Sequence, residues 1–254
     1  MGQITNPQPD VYLITGGVCN TYLLSGERLT VVDPGSYRAA ELAFGLIQEI
    51  CRANGGHSSR PIDITCTHFH LDHFNGVDHL QKLTGASVIL NDQVKQFLNG
   101  RRMPLPLPHR ILPLLPLRKQ MDHVIPRWEN IKHSRDEVRP SLFWPRIKAE
   151  VNSWIQPESF LPGREDWKMI ASPGHSPDSV CLYNVGSKTL ITGDTIFNLD
   201  SRPWFHPFVQ DKISARETRR RLKELEVSAL YPGHGWPVQG GNLMAKALGP
   251  RRRN

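Results

Sequence analysis

Residues 67–76 read THFHLDHFNG, and three histidines and an aspartate stand within the six positions from His68 to His73. Only 11 of the 254 residues are histidine, so the crowding is not a matter of composition. Ionisable side chains packed this closely repel or desolvate one another unless a cation lies among them. Neutral imidazole and carboxylate are ligands that zinc takes at about 2.0–2.2 Å. The stretch therefore constrains the fold, because it has to end a rigid element where four side chains can turn towards one place. Ile62–Thr67, just before it, reads as a compact strand. Alternation along a strand ending at Thr67 sends His68 and His70 the same way. Asn75-Gly76 opens the next helix, and the turn before it aims Asp72 and His73 at a neighbouring point.

Two half-sites need more ligands, and three places in the sequence repeat one local pattern of strand, tight turn and polar residue. They are His175 in SPGHSPDS, Asp194 in LITGDTIF and His234 in YPGHG. The glycine beside each allows a close backbone approach or an unusual turn. A lone buried histidine is more often a satisfied core residue than a ligand. Three recurrences of the same context favour the ligand reading.

The rest of the chain supplies the scaffold. Val11–Thr15, Thr21–Ser25 and Leu29–Asp33 are strand-like and punctuated by Gly16-Gly17, Gly26 and Pro34-Gly35. Helical spacing follows over 38–53, with Leu42, Leu46, Ile47 and Ile50 on one stripe. Val77–Leu83 and Asp92–Leu98 read as helices, with a strand at Ser87–Leu90 between them. Further strands are expected at Trp167–Ser172, Val180–Asn184, Thr189–Thr192 and Ala229–Tyr231. Helices are expected over 215–226, capped by Ser214 with Glu217, and over 242–248. Strands followed by helices, twice over, imply an α/β chain of two sheets with helices outside them.

Residues 99–165 differ. They hold ten of the 21 prolines, three of the six tryptophans (Trp128, Trp144, Trp154) and 12 Lys/Arg against 7 Asp/Glu. The spacing of the prolines forbids a regular helix or central strand over 104–116. One helix is expected over 146–155. The stretch reads as a Pro-rich basic insertion or lid within a single domain, 1–254. Its surplus of positive charge, with Arg251, Arg252 and Arg253, accounts for the net +7, and the remainder is close to neutral. Such a patch suits an acidic ligand or weak contact with an anionic membrane surface, and equally a solvated face. Base-stacking aromatics are not interleaved with the basic runs, so no nucleic-acid partner is expected. Cys19, Cys51, Cys66 and Cys181 form no CxxC pair and read as free thiols. The opening residues show no secretory signal, and a cytoplasmic location is expected.

The order His68-x-His70-x-Asp72-His73, then His175, Asp194 and His234, resembles the metallo-β-lactamase superfamily in its binuclear hydrolase branch, as does NTYLLSGERLTVVDPGS with Asp33 in its turn. The resemblance covers roughly residues 10–98 and 167–240. It implies an αβ/βα sandwich of two mixed sheets packed face to face. It implies one metal on His68, His70 and His175, another on Asp72, His73 and His234, and Asp194 shared. Two Zn2+ are the expected cofactors, with iron or manganese as alternatives. The implied chemistry is hydrolysis by a hydroxide shared between the metals, with Asp72 taking or steering a proton and Asp33 orienting a ligand histidine.

For substrate, the expectation is a small-molecule acyl ester, thioester or lactone. Only 20 residues follow His234, which leaves no room for the C-terminal glutathione-binding domain of the glyoxalase II relatives. Lactonase relatives place a tyrosine three residues past the bridging aspartate, where this chain has Phe197. Trp204, with the three tryptophans of the insertion, is a candidate pocket aromatic. Other readings are a mononuclear iron persulfide dioxygenase, a phosphodiesterase, a β-lactam hydrolase, or a non-catalytic binding module.

Overall fold

The computed structural model describes residues 2–53, 60–99, 147–199 and 201–249. They fall into two compact units, one of residues 2–99 and 147–155 and one of residues 156–249. Most of the proline-rich stretch, with Trp128 and Trp144, lies outside the described residues.

The first unit is built on a seven-stranded sheet whose strands lie in chain order. β1 (Ile4–Gln8), β2 (Val11–Ile14), β3 (Thr21–Leu24) and β4 (Leu29–Val32) form an antiparallel meander. β5 (Ile62–Thr65), β6 (Ser87–Asn91) and β7 (Val151–Ile155) then add in parallel. Parallel strands need crossovers. Helix α1 (Tyr37–Ala53) links β4 to β5, and α2 (Leu71–Phe74) and α3 (Val77–Thr84) link β5 to β6. α1 buries Ala39, Ala40, Ala43, Leu46 and Ile47, and burial of each of the two larger side chains contributes ~1.5–3 kcal/mol. Their partners include Leu29, Val31, Ile64, Phe69 and Leu80. Gly85, at φ 67°, closes α3 with a left-handed cap. Past β6, a 3-10 turn at Asp92–Val94 precedes α4 (Lys95–Leu98), where one helix was expected.

Two differences from the sequence reading stand out here. β1 was not among the expected strands; at the sheet edge, Pro7 has no ladder bond to lose on its outer side. The helix expected over 146–155 is instead β7. Its approach is held by Asp78 of α3, whose carboxylate accepts from Lys148 N–H (2.8 Å) and Ala149 N–H (2.7 Å). Trp154 packs on the core of this unit, with the Lys95 ammonium 5.1 Å from its ring centroid.

The second unit has a six-stranded sheet in the order β15 (Val238–Gln239), β14 (Ala229–Pro232), β11 (Thr189–Gly193), β10 (Val180–Asn184), β9 (Arg164–Ala171) and β8 (Phe160–Leu161). Its neighbours are antiparallel except β11 and β14, which run parallel. β12 (Ile196–Leu199) and β13 (Arg202–Phe205) form a separate hairpin. α5 (Lys212–Leu222) and α6 (Leu243–Lys246) complete the unit, around a core of Cys181, Leu190, Ile196, Phe205, Leu230 and Met244. Asp211, not Ser214, caps α5: its side chain accepts from Ile213 N–H at 2.9 Å, while the Ser214 hydroxyl donates to it. The three arginines of the run Arg219–Arg221 have different surroundings. Arg220 pairs with Glu217 and Glu224, Arg219 lies over the Phe205 ring, and Arg221 donates to the Ala171 carbonyl.

Both sheets are mixed and carry helices, as the strand–helix alternation requires. The four cysteines are free, and Cys19, Cys66 and Cys181 are buried. No helix among the described residues is long and apolar enough to cross a membrane.

Candidate metal centre

In the first unit the parallel strands β4 and β5 deliver their following loops to the same sheet edge. Asp33 follows β4 at φ 54°, a left-handed conformation that aspartate tolerates better than most residues. Its backbone N–H continues the ladder to the Thr65 carbonyl. Its buried carboxylate accepts from Thr67 N–H (2.7 Å), from the Thr67 hydroxyl (2.7 Å) and from His73 Nδ1 (2.9 Å). A carboxylate only accepts, so His73 carries its proton on Nδ1 and presents a lone pair at Nε2. The Thr67 proton is used on Asp33, so its oxygen accepts from His68 Nδ1 at 3.2 Å, and His68 too presents a lone pair at Nε2.

That His68 Nε2 atom lies 2.9 Å from His70 Nδ1, and Asp72 Oδ2 lies 3.9 Å from His73 Nε2. The His68 and His73 rings are 4.1 Å apart. The four predicted ligands of this run thus share one place. The route differs from the expected one. β5 ends at Thr65, so pleat alternation does not orient His68 and His70; a bend and the one-turn α2 do. Two glycines allow the turn after β4 to nest against this loop. A Cβ on Gly35 would collide with the Asp72 carbonyl, and one on Gly76 with the Pro34 and Ser36 carbonyls. Gly76 N–H also donates to the Pro34 carbonyl at 2.7 Å.

The second unit gathers the other three predicted ligands. β11 and β14 are adjacent and parallel, so Asp194 and His234 follow neighbouring strand ends. Gly193, at φ 47°, turns the chain out of β11, and Gly233 N–H donates to its carbonyl. His175 comes from the loop after β9, where Gly174 (φ 147°) packs so close to Ala215 of α5 that a Cβ would lie 2.7 Å from it. Asp194 Oδ2 faces His175 Nε2 at 3.6 Å, and Asp194 Oδ1 faces His234 Nε2 at 3.5 Å. His175 Nδ1 donates to the Phe208 carbonyl at 3.1 Å, which again leaves the lone pair on Nε2.

The sequence reading missed one residue. A ring nitrogen of His206 lies within 4.8 Å of ligand atoms of both His175 and Asp194, and its ring meets that of His175 at 4.6 Å. His206 follows the hairpin strand β13, with no glycine turn to single it out. Burial, helped by the neighbouring His175, holds its imidazole well below the ordinary histidine range. Phe197 is buried and touches both His206 and Trp204, so Trp204 stacks on a wall of this region.

The donors are imidazole nitrogens, those of His68, His73 and His175 fixed by a partner on the opposite ring nitrogen, together with carboxylate oxygens. No thiol stands among them. Such a set fits a borderline divalent cation, and the partnering of the far nitrogen is what a metal-ligating histidine needs.

Fold and donor set together define a metal-dependent hydrolase, and the chain belongs to the metallo-β-lactamase superfamily, whose family model matches residues 14–234. Among individual proteins it is similar to the probable metallo-hydrolase YflN of Bacillus subtilis (strain 168), at 23% identity over 92% of this chain and 86% of that one. It is also similar to the acyl-coenzyme A thioesterase MBLAC2 of Gallus gallus, at 25% identity over 87% of this chain and 73% of that one. A solved structure, that of TTHA1623 in a di-iron-bound form, shares the fold with a TM-score of 0.53, at 21% identity over 87% of this chain and 89% of that one.

Proposed function

We propose that the two ligand sets serve one binuclear centre of a zinc-dependent hydrolase that cleaves an acyl ester, thioester or lactone. In this reading His68, His70 and His175 hold one ion, Asp72, His73 and His234 hold the other, and Asp194 is shared. The observation that carries it is the Asp194 carboxylate, whose two oxygens face two different histidines. A carboxylate so placed suits bridging better than a single-ion role. The relative named as an acyl-coenzyme A thioesterase supports the acyl substrate class.

Two such cations supply Lewis acidity for a substrate oxygen and lower the pKa of water towards ~7. The chain's own residues set the geometry. Asp33 and Thr67 hold His73 and His68 in one tautomer each. The Phe208 carbonyl does the same for His175. Asp72, with 39% of its side chain exposed, keeps a carboxylate edge open on which to take a proton. These groups are placed before substrate arrives, and preorganisation of this kind is where much of an enzyme's rate advantage originates.

Elemental analysis, coupled to a panel of thioesters, lactones, phosphodiesters and nitrocefin, tests the reading. Two zinc equivalents per chain with carboxylic-ester turnover are expected, and Asp194→Ala should lower metal content and turnover together. One iron per chain with sulfite production, or an Asp194→Ala variant with full metal and full turnover, overturns it.

A further inference from the structure

Phe208 contributes both of its backbone polar groups to the histidines beside Asp194. Its carbonyl accepts from His175 Nδ1, and its N–H donates to His206 Nδ1, both at 3.1 Å. The same carbonyl is also 3.1 Å from His206 Nδ1, so two tautomers of His206 need to be weighed. Were the proton on Nδ1, it would point at that carbonyl, but the Phe208 N–H would then face an N–H and lose its acceptor. With the proton on Nε2, Nδ1 accepts the Phe208 N–H, so the one donor left unmet is the ring's own Nε2–H and not a backbone N–H, a group that folded chains rarely leave unpaired. The hydrogen-bond network therefore gives the two imidazoles opposite tautomers. His175 presents a lone pair at Nε2, and His206 presents an N–H. Among the described residues that Nε2–H has no hydrogen-bond partner. The ring is held in place by Phe197 at 5.5 Å and Phe208 at 5.3 Å.

We propose that His206 is a catalytic hydrogen-bond donor and not a metal ligand: its Nε2–H meets the carbonyl oxygen of the acyl substrate and stabilises the negative charge that grows there as the carbonyl carbon is attacked. No proton is transferred in this role, so the imidazole is neutral before and after. The position three residues past Asp194 is Phe197, which has no donor to offer. The hairpin instead brings His206, the residue after β13, against that phenyl ring, the two rings near-perpendicular at 5.5 Å. A carboxylic ester, thioester or lactone needs one such donor on its carbonyl oxygen, whereas an oxidised sulfur substrate has no carbonyl to receive it. The inference rests on the hydrolase reading above, and its tests separate the two.

The first test needs no loaded enzyme. A long-range 1H–15N spectrum of the metal-free full chain, assigned with His206→Gln, is expected to show His206 protonated at Nε2 and bare at Nδ1. A proton on Nδ1 overturns the proposal. The second test compares wild type, His206→Ala and His206→Gln, with p-nitrophenyl butyrate and butyryl-coenzyme A as probes. Metal content by elemental analysis should be equal in all three. His206→Ala should lower kcat by about 10²–10³, the range for loss of one oxyanion donor, with little change in KM. His206→Gln, which keeps an N–H, should recover part of that loss. Loss of a metal equivalent in His206→Ala makes His206 a ligand and overturns the proposal. Equal kcat in fully loaded wild type and His206→Ala overturns it too and leaves the hydrolase reading standing. Wild type that loads metal but turns over neither probe nor any ester of the wider panel overturns the hydrolase reading, and this inference with it.

Discussion

Replacing Asp33 by asparagine changes one atom and tests how the centre is held. The carboxylate accepts three hydrogen bonds, from Thr67 N–H, the Thr67 hydroxyl and His73 Nδ1–H. Asparagine fits the same space and tolerates the φ of 54°. Its oxygen can keep the Thr67 N–H, which leaves the NH2 facing the Thr67 hydroxyl and His73, on the Oδ2 side. The Thr67 hydroxyl can rotate, but His73 can accept from NH2 only by moving its own proton from Nδ1 to Nε2. That removes the lone pair a metal needs. Loss of a partner behind a ligand lowers metal affinity typically 10–100-fold, which is about 1.4–2.8 kcal/mol. The metal-free protein should lose less, because donors and acceptors still find one another after the flip: about 1–2 kcal/mol for exchanging charge-assisted bonds for neutral ones. The assay is zinc titration of the metal-free variant against a competing chelator, alongside urea unfolding of the same sample. Unchanged zinc affinity in Asp33→Asn would refute the argument that Asp33 sets the His73 tautomer. A loss of affinity matched by an equal loss of metal-free stability would assign Asp33 a structural role alone.

Gly35→Ala should be worse tolerated than Asp33→Asn, costing about 3 kcal/mol or more as an overpacked site, because its Cβ would collide with backbone at Asp72; circular dichroism melts and metal content should fall together. Burial raises the Cys181 thiol to about 11, so at pH 8 about one molecule in a thousand carries the thiolate. Native protein should therefore leave Cys181 unmodified by a thiol reagent while the half-buried Cys51 reacts, a result mass mapping would read directly. Reaction of Cys181 should rise about tenfold per pH unit from that low level and flatten only as the pH nears about 11. Asp78→Ala removes the acceptor for Lys148 and Ala149 N–H and should cost about 1–3 kcal/mol, with faster amide exchange along β7 as the local signature.

Much of the scaffold can be read locally. β2, β3, β4, β10 and β11 and helices α1 and α3 lie within one or two residues of where apolar periodicity and Gly/Pro punctuation put them. These are segments in which a repeat of two or 3.6 residues meets a turn signal at each end. Where a residue's meaning depends on its neighbours in space, that reading fails. Pro7 sits in a strand because the strand is an edge. Residues 151–155 form β7 because β6 offers an open parallel edge and Asp78 and Gln81 of α3 receive the approaching chain. The cap of α5 is Asp211, three residues before the Ser214 box, because the first turn forms there.

The candidate ligands were legible in the chain: HFHLDH and the three Gly-turn contexts at His175, Asp194 and His234 are local facts, and imidazole and carboxylate at that density favour a cation. Tertiary structure decided what each candidate ligand can do. The tautomer of an imidazole depends on what stands behind it, and Asp33 and Phe208 reach His73 and His175 from other loops. Asp194 became a carboxylate facing two ways only because β11 and β14 are neighbours. His206 has no marker along the chain, and it enters the site because a hairpin folds it back against His175. Bonding partners distant in sequence carry no signature at the residue they orient, so they can be found only once the chain has closed on itself.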